Sequence, residues 1–273
     1  MTGIPIALTI AGSDSSGGAG IQADLKTFSA FGVYGASVVT ALTAQNTQGV
    51  AAVEPVTTSF VVAQMDAVLS DLEVGAIKTG MLANAAIVQA VAGRLRAAPR
   101  RPLVVDPVMV ATSGDVLLEH GAIEALKREL FPLALLVTPN LPEAARLLDA
   151  AEASSETDAI AQAKALLALG CGAVLLKGGH GSGATAVDIL CDASGAERFE
   201  RPRIDTHHTH GTGCTLSAAI AALLACGVGL REAVGRAKDF VWQALHGGRA
   251  LGVGHGNGPV DHLFAIRKAP PPA

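Results

Sequence analysis

Glycines bracket a threonine in His210-Gly211-Thr212-Gly213-Cys214-Thr215, and a small, apolar run over 216–226 follows directly. The run reads as a helix, which places Cys214 near its first turn. There, unpaired backbone N–H groups and the positive end of the helix dipole make an anion site. A thiol in that position is expected to have a lowered pKa. The segment points to phosphate handling with an ionisable group alongside; taken alone, it is equally a plain helix start with an inert cysteine.

Other polar clusters are candidates of the same kind. Gly12-Ser13-Asp14-Ser15-Ser16-Gly17-Gly18-Ala19-Gly20 is rich enough in glycine to cradle a phosphate. It lacks the Gly-Lys-Ser/Thr ending of a P-loop and a clean dinucleotide spacing, so it reads as a substrate loop. Asp24 lies about one turn into the next helix, where its carboxylate either points back to a pocket or steadies the helix dipole. Within the polar island 43–49, the Gln45 side chain offers donors and an acceptor together, which suits the edge of an amino-substituted heterocycle. Asp106 follows Leu103-Val104-Val105, and Pro107 stops that strand, so its carboxylate is placed to hold Mg²⁺ or a hydroxyl proton. Asn140-Leu141-Pro142-Glu143 is an N-x-x-E pattern at a helix start, which a capping box alone would also explain. Lys177-Gly178-Gly179 sets a cation and two amides at a strand end, where triphosphate oxygens could sit; a solvated lysine before a turn is the alternative. His207, His208 and His210 are poorly spaced for one metal and have no nearby cysteine or carboxylate, so they read as loop histidines.

These residues need a frame to converge. Short apolar runs predict strands over 4–10, 33–40, 50–57, 74–78, 103–105, 134–137 and 173–177, with a hairpin over 184–203. Pro55 would put the third of these at an edge. Helical spacing predicts helices over 21–31, 59–72, 85–97, 115–130, 142–148, 156–169, 215–226 and 230–249, with Asn84 as a cap. Alternating strands and helices imply an α/β fold in three layers, a mostly parallel central sheet with helices on both faces. In such sheets ligands bind beyond the carboxyl ends of the strands. The polar motifs Gly12-Ser13-Asp14, Thr79-Gly80-Met81, Asp106-Pro107, Thr138-Pro139-Asn140 and Gly178-Gly179-His180 all follow predicted strands.

The 273 residues show no internal repeat and no linker-like shift in composition. They are therefore read as one domain over 1–266 with a flexible tail over 267–273. Half the residues are hydrophobic and only 3% are aromatic, so the core is built from Ala, Val, Leu and Ile, as parallel strands buried on both faces require. A net charge of −4 without a basic cluster argues against nucleic acid as a partner. No run is long enough for a membrane span, and none reads as a secretory signal. Four cysteines without C-x-x-C spacing fit a reducing compartment, and the chain is expected to be cytoplasmic.

Taken in order, the motifs resemble the hydroxymethylpyrimidine/phosphomethylpyrimidine kinases of thiamine biosynthesis, within the ribokinase-like superfamily. The resemblance rests on the segment 11–27, on Thr40-Ala41-Leu42-Thr43-Ala44-Gln45-Asn46-Thr47 and on Ile77-Lys78-Thr79-Gly80-Met81-Leu82. It rests also on Val105-Asp106-Pro107-Val108-Met109-Val110, Thr138-Pro139-Asn140-Leu141-Pro142-Glu143, Lys177-Gly178-Gly179-His180 and Thr209-His210-Gly211-Thr212-Gly213-Cys214-Thr215-Leu216-Ser217. It implies a ribokinase-like fold, usually in a homodimer. The implied activity moves the γ-phosphate of ATP to 4-amino-5-hydroxymethyl-2-methylpyrimidine, and then phosphorylates the monophosphate. By resemblance Gln45 reads the ring edge, with Gly12, Asp24, Met81 and Val108 near the ring or its hydroxymethyl group. Asn140 and Glu143 organise Mg²⁺ and phosphates, joined by Asp106 and Lys177. Asp106 and Glu143 face the metal partly through water, and a monovalent cation is a further possible cofactor. Thr209, Gly211, Thr212 and Gly213 line the anion hole beside Cys214, which stands where many superfamily members carry an aspartate base. His208 stands where the family often has asparagine. A pyridoxine or pyridoxal kinase is the alternative activity, and a silent pyrimidine-binding module is the non-enzymatic one.

Overall fold

A computed structural model describes residues 3–109, 120–178 and 183–267. The first part of the helix expected over 115–130, the Gly179-His180 pair and the tail beyond Arg267 lie outside the described residues. The central sheet has eight strands: β1 (Ile6–Ala11), β2 (Tyr34–Val39), β5 (Ala76–Thr79), β6 (Leu103–Val105), β7 (Leu136–Val137), β8 (Ala173–Lys177), β9 (Thr185–Asp192) and β10 (Gly195–Pro202). They run in the order β10-β9-β8-β7-β6-β5-β1-β2. Pairing is parallel from β2 across to β8 and antiparallel for β8–β9 and β9–β10. The order reverses at β1, between β2 and β5, so a crevice opens beyond the strands' carboxyl ends there.

Helices α1 (Gly20–Ala30), α7 (Thr212–Ala225) and α8 (Leu230–Gly248) cover one face. Phe28, Ile220, Leu223 and Val234 fill the core beneath them, against Ala7, Val104 and Leu175 of the sheet. The other face is covered by α2 (Thr58–Asp71), α3 (Ala85–Ala97), α4 (His120–Ala125), α5 (Leu141–Leu148) and α6 (Glu156–Leu167). There Met65, Ile87, Leu130 and Leu147 pack on Leu8, Ile10 and Val105. The sheet is thus buried on both sides, which is why its strands read as continuous apolar runs.

Two expectations change. The island over 43–49 contains a strand, β3 (Ala41–Asn46), paired antiparallel with β4 (Gly49–Pro55) in a separate two-stranded sheet. Its alternation is real, with Ala41 and Thr43 buried and Leu42 and Ala44 exposed. The inward side chains are small or polar because the hairpin faces a cavity rather than the core, so the hydrophobic signal of a strand is missing. The run over 50–57 is accordingly the partner of this hairpin and not a strand of the main sheet. In addition, α7 begins three residues before the predicted start, because Gly211 takes the N-cap position in a left-handed conformation (φ 80°). Cys214 therefore lies well inside the first turn.

Candidate active site

One cavity of about 730 Å³ opens at the carboxyl ends of the strands. Gly12 enters it after β1, Gln45 from β3, Met81 after β5, and Asp106 and Val108 after β6. Asn140 and Glu143 enter from the start of α5, Lys177 from the end of β8, Thr209 and Gly211 from the segment leading into α7, and Thr212, Gly213 and Cys214 from its first turn. Asp24 does not line it. That carboxylate is fully buried, accepts from the Thr9 hydroxyl at 2.6 Å, and is bound by the Lys78 ammonium at 2.8 and 2.9 Å. The resemblance puts Asp24 near the ring or its hydroxymethyl group; the structure sets its carboxylate in an ion pair behind the cavity wall.

The charged end is built from three strand ends. Asp106 is 2% exposed; its Oδ1 accepts from Lys177 Nζ at 2.9 Å and Thr138 Oγ1 at 3.1 Å, and its Oδ2 from Ser217 Oγ at 3.1 Å. Burial alone would raise its pKa, but Lys177, Lys78 and these hydrogen bonds together hold the carboxyl below the usual range. Lys177 also reaches Glu143 Oε2 at 3.9 Å. Glu143 belongs to a complete capping box: Asn140 Oδ1 accepts from the Glu143 amide at 2.8 Å, and Glu143 Oε2 from the Asn140 amide at 2.7 Å. The capping reading of N-x-x-E is met, and both capping residues line the cavity. Burial pushes the Glu143 carboxyl up to about 7, and Lys177 offsets this only in part because it is shared with Asp106.

Cys214 is partly exposed to the cavity. The expected lowering of its pKa is corrected: burial pushes the thiol up to about 11, against the pull of Lys78, with Asp24 and Asp106 adding repulsion. The helix-start effect is outweighed because the sulfur sits in a desolvated pocket flanked by two carboxylates. No acceptor meets the amides of Gly213 and Cys214 among the described residues, so both remain open donors facing the cavity.

The other end is neutral. The Gly12 amide donates to the Met81 carbonyl at 3.0 Å, and a Cβ at Gly12 would stand 2.2 Å from Met81 Cε, so any larger residue would displace that thioether. Gln45 Oε1 lies 3.3 Å from Thr43 Oγ1, while its amide nitrogen meets no acceptor among the described residues. A third region is apolar and basic, with Trp242, Val241, Leu245, Arg201 and Arg203 in the wall. Asp188 braces it, accepting from Lys238 Nζ at 2.7 Å and from the Gly178 amide at 3.0 Å.

Sequence reading passed over Lys78, Thr138, Ser217 and the Asp188–Lys238 pair. Lys78 carried a signal: it is the charged residue of a four-residue strand buried throughout. Asp24 with Asp106 and Cys214 holds its ammonium above the ordinary pKa, although burial opposes this. His208 does not line the cavity; its ring packs against Gly258. His210 and His262 prove to be buried, and His262 Nε2 lies 3.0 Å from Thr215 Oγ1 in the first turn of α7.

Burial, with help from Lys26, lowers the His262 pKa from 6.5 to about 4. The folded state therefore disfavours a proton that the unfolded state accepts below 6.5. The stabilisation is present above pH 6.5 and lost as pH falls toward 4, in total on the order of 3 kcal/mol. Urea unfolding at pH 7 and pH 4.5 is expected to show a smaller acid loss in His262→Gln than in the unsubstituted protein. An equal loss in both would remove His262 from that role.

A family model described as phosphomethylpyrimidine kinase matches residues 14–261. A hydroxymethylpyrimidine/phosphomethylpyrimidine kinase of Rhizobium meliloti is 57% identical over 258 residues, covering 94% of this chain and 97% of that protein. The crystal structure of a phosphomethylpyrimidine kinase from Clostridium difficile superposes with a TM-score of 0.78 at 44% identity, covering 89% of this chain and 99% of that one. An ADP complex of Bacillus subtilis pyridoxal kinase superposes with a TM-score of 0.89 at 40% identity, covering 96% and 99%.

Proposed function

The chain belongs to the phosphomethylpyrimidine kinase family, and we propose that its cavity is where ATP phosphorylates 4-amino-5-hydroxymethyl-2-methylpyrimidine and then the resulting monophosphate, as thiamine biosynthesis requires. The observation that carries this reading is the joining, in one cavity, of a neutral end lined by Gly12, Gln45, Met81 and Val108 to a charged end with a lysine, two carboxylates and open backbone amides. The fold is that of the ribokinase-like kinases.

In this reading the ring lies between Gly12, Met81 and Val108, and the free amide nitrogen of Gln45 donates to its edge. The hydroxymethyl oxygen then faces Cys214 and the open amides of Gly213 and Cys214. That oxygen attacks the γ-phosphorus, the bond to the β–γ bridging oxygen breaks, and ADP leaves. The proton of the alcohol passes to Cys214 in its thiolate form, which becomes the thiol. Lys177 and the open amides neutralise charge on the transferring group, the kind of fixed electrostatic support on which phosphoryl transfer chiefly depends. The triphosphate runs from there toward the wall of Trp242, Val241 and Leu245, where the adenine has an apolar face to lie on.

Magnesium fits the donor set in a particular way. Among the described residues no three His, Cys, Asp or Glu side chains converge into a cage for the ion. Asp106 and Glu143 suit an ion that keeps waters and phosphate oxygens as its other ligands. Glu143 is short of positive charge, which is the need such an ion meets. The ion would supply charge neutralisation at the phosphoryl oxygens. The same reading carries a homodimer working in the cytoplasm, in keeping with cysteines left as free thiols.

Pyridoxal is the second substrate to test, because a pyridoxal kinase superposes closely. An ADP-release assay with each alcohol, its products resolved as mono- and diphosphate, decides the matter. The pyrimidine is expected to lead in kcat/KM and to yield both products; higher kcat/KM on pyridoxal would overturn the assignment. Gln45→Ala is expected to raise KM for the pyrimidine about 10- to 100-fold, the cost of an unpaired ring edge, with KM for ATP within about twofold. An unchanged pyrimidine KM would take Gln45 out of the ring site.

A further inference from the structure

A further buried ionisable pair stands outside the chemistry above. Asp14, in the loop between β1 and α1, is 1% exposed. Its Oδ1 accepts from the amide and hydroxyl of Ser16 at 2.9 and 2.8 Å, and its Oδ2 from the amides of Gly18 and Ala19 at 3.0 and 2.8 Å. The same Oδ2 meets His210 Nε2 at 2.8 Å, across 196 residues of sequence. His210 is 5% exposed and immediately precedes Gly211, the N-cap of α7.

The two segments interlock as well as bond. A Cβ at Gly211 would stand 1.8 Å from the Gly18 carbonyl oxygen, and one at Gly18 would stand 2.4 Å from the His210 ring. Gly211 also needs its positive φ, so the contact admits no other residue without strain. The same loop grips the hairpin that carries Gln45. Ser15 Oγ donates to the Gln45 carbonyl at 2.7 Å and accepts from the Gln45 amide at 2.8 Å. Thr43 donates its amide to Ser13 Oγ at 3.2 Å and its hydroxyl to the Ser13 carbonyl at 3.0 Å.

We propose that Asp14 and His210 are positioning residues, a strut that locks the anion-binding turn of α7 to the loop that registers Gln45, and so fixes the spacing between phosphoryl site and ring site. This rests on the kinase reading of the cavity. Burial would raise the Asp14 pKa, yet His210 and the other donors lower it to about 2, so the carboxylate stays charged and the strut stays charge-assisted at working pH. Its value lies in alignment. A misplacement of about 1 Å between reacting atoms costs on the order of 10²-fold in rate while leaving ground-state binding nearly intact.

The test compares His210→Leu, which removes the donor, with His210→Gln, which keeps one, in the full chain. In His210→Leu, kcat is expected to fall about 30- to 100-fold with both KM values within about threefold. His210→Gln is expected to return to within about fivefold of the unsubstituted rate. Amide hydrogen exchange over residues 209–215 should quicken in His210→Leu and not in His210→Gln. That readout needs no turnover, so it stands apart from the substrate assignment, which the unsubstituted enzyme's own activity tests. A folded His210→Leu with unchanged kcat and unchanged exchange overturns the strut, and so does His210→Gln behaving no better than His210→Leu. Should His210→Leu not fold, Asp14→Asn takes its place: it keeps the shape, loses one acceptor oxygen, and is expected to show the same fall in kcat.

Discussion

Cys214→Ser is expected to lower kcat about 10²- to 10³-fold, with KM for both substrates within about threefold. A serine keeps the shape of the site and the helix start, and it removes only a group able to take a proton. Because burial pushes the thiol up to about 11, the free enzyme holds little thiolate at neutral pH. The unsubstituted enzyme is therefore expected to gain in kcat/KM as pH rises from 7 toward 10, with no levelling near the ordinary thiol range. Cys214→Ser should lose that rise. Turnover close to that of the unsubstituted enzyme would instead leave alignment and charge neutralisation to carry the transfer by themselves.

Lys177→Met should be the most damaging change to both rate and stability. The methionine fills similar space but leaves Asp106 and Glu143 facing each other without the cation that bridges them at 2.9 and 3.9 Å. Stranding buried charge in this way costs about 3–5 kcal/mol, which thermal unfolding would read directly. The loss has a sign in pH. Glu143, already pushed up to about 7 with Lys177 present, rises further in the variant. Its folded pKa then stands still further above its unfolded one, so more stability is lost as pH rises from the unfolded value through the folded one. The variant should be closer to its parent in stability at pH 5.5 than at pH 8.5. In rate, kcat/KM for ATP is expected to fall about 10³-fold, since the proposed charge-assisted contact of Lys177 to the transferring group goes with it. A variant equally stable at both pH values would mean that the carboxylates do not depend on Lys177.

Much of this was readable before any coordinates. The apolar runs gave the main-sheet strands to within two residues at most ends, because burial on both faces demands continuous hydrophobic stretches. Asp106 and Lys177 could be picked out because each closes such a run, and Asn140 because it opens a helix soon after one. The hairpin strand β3 escaped because its inward face meets a cavity, and polar alternation looks the same as a loop. Asp24 was drawn toward the pocket by its place one turn into α1, whereas the structure turns it to Lys78, 54 residues away. His210 read as a loop histidine because nothing near it in sequence shows its partner.

The sequence by itself determined the order of the elements, the polar groups at the strand ends, and a glycine-bracketed helix start fit for an anion. These are local properties, set by periodicity, by capping and by the backbone that glycine allows. Tertiary structure alone decided the ionisation of those groups and how they are held apart. The Cys214 thiol is raised rather than lowered because desolvation and two neighbouring carboxylates, brought in by other strands and helices, outweigh the dipole of its own turn. The spacing between the two ends of the cavity rests on Asp14 and His210, which meet only because the first loop and the seventh helix fold against each other.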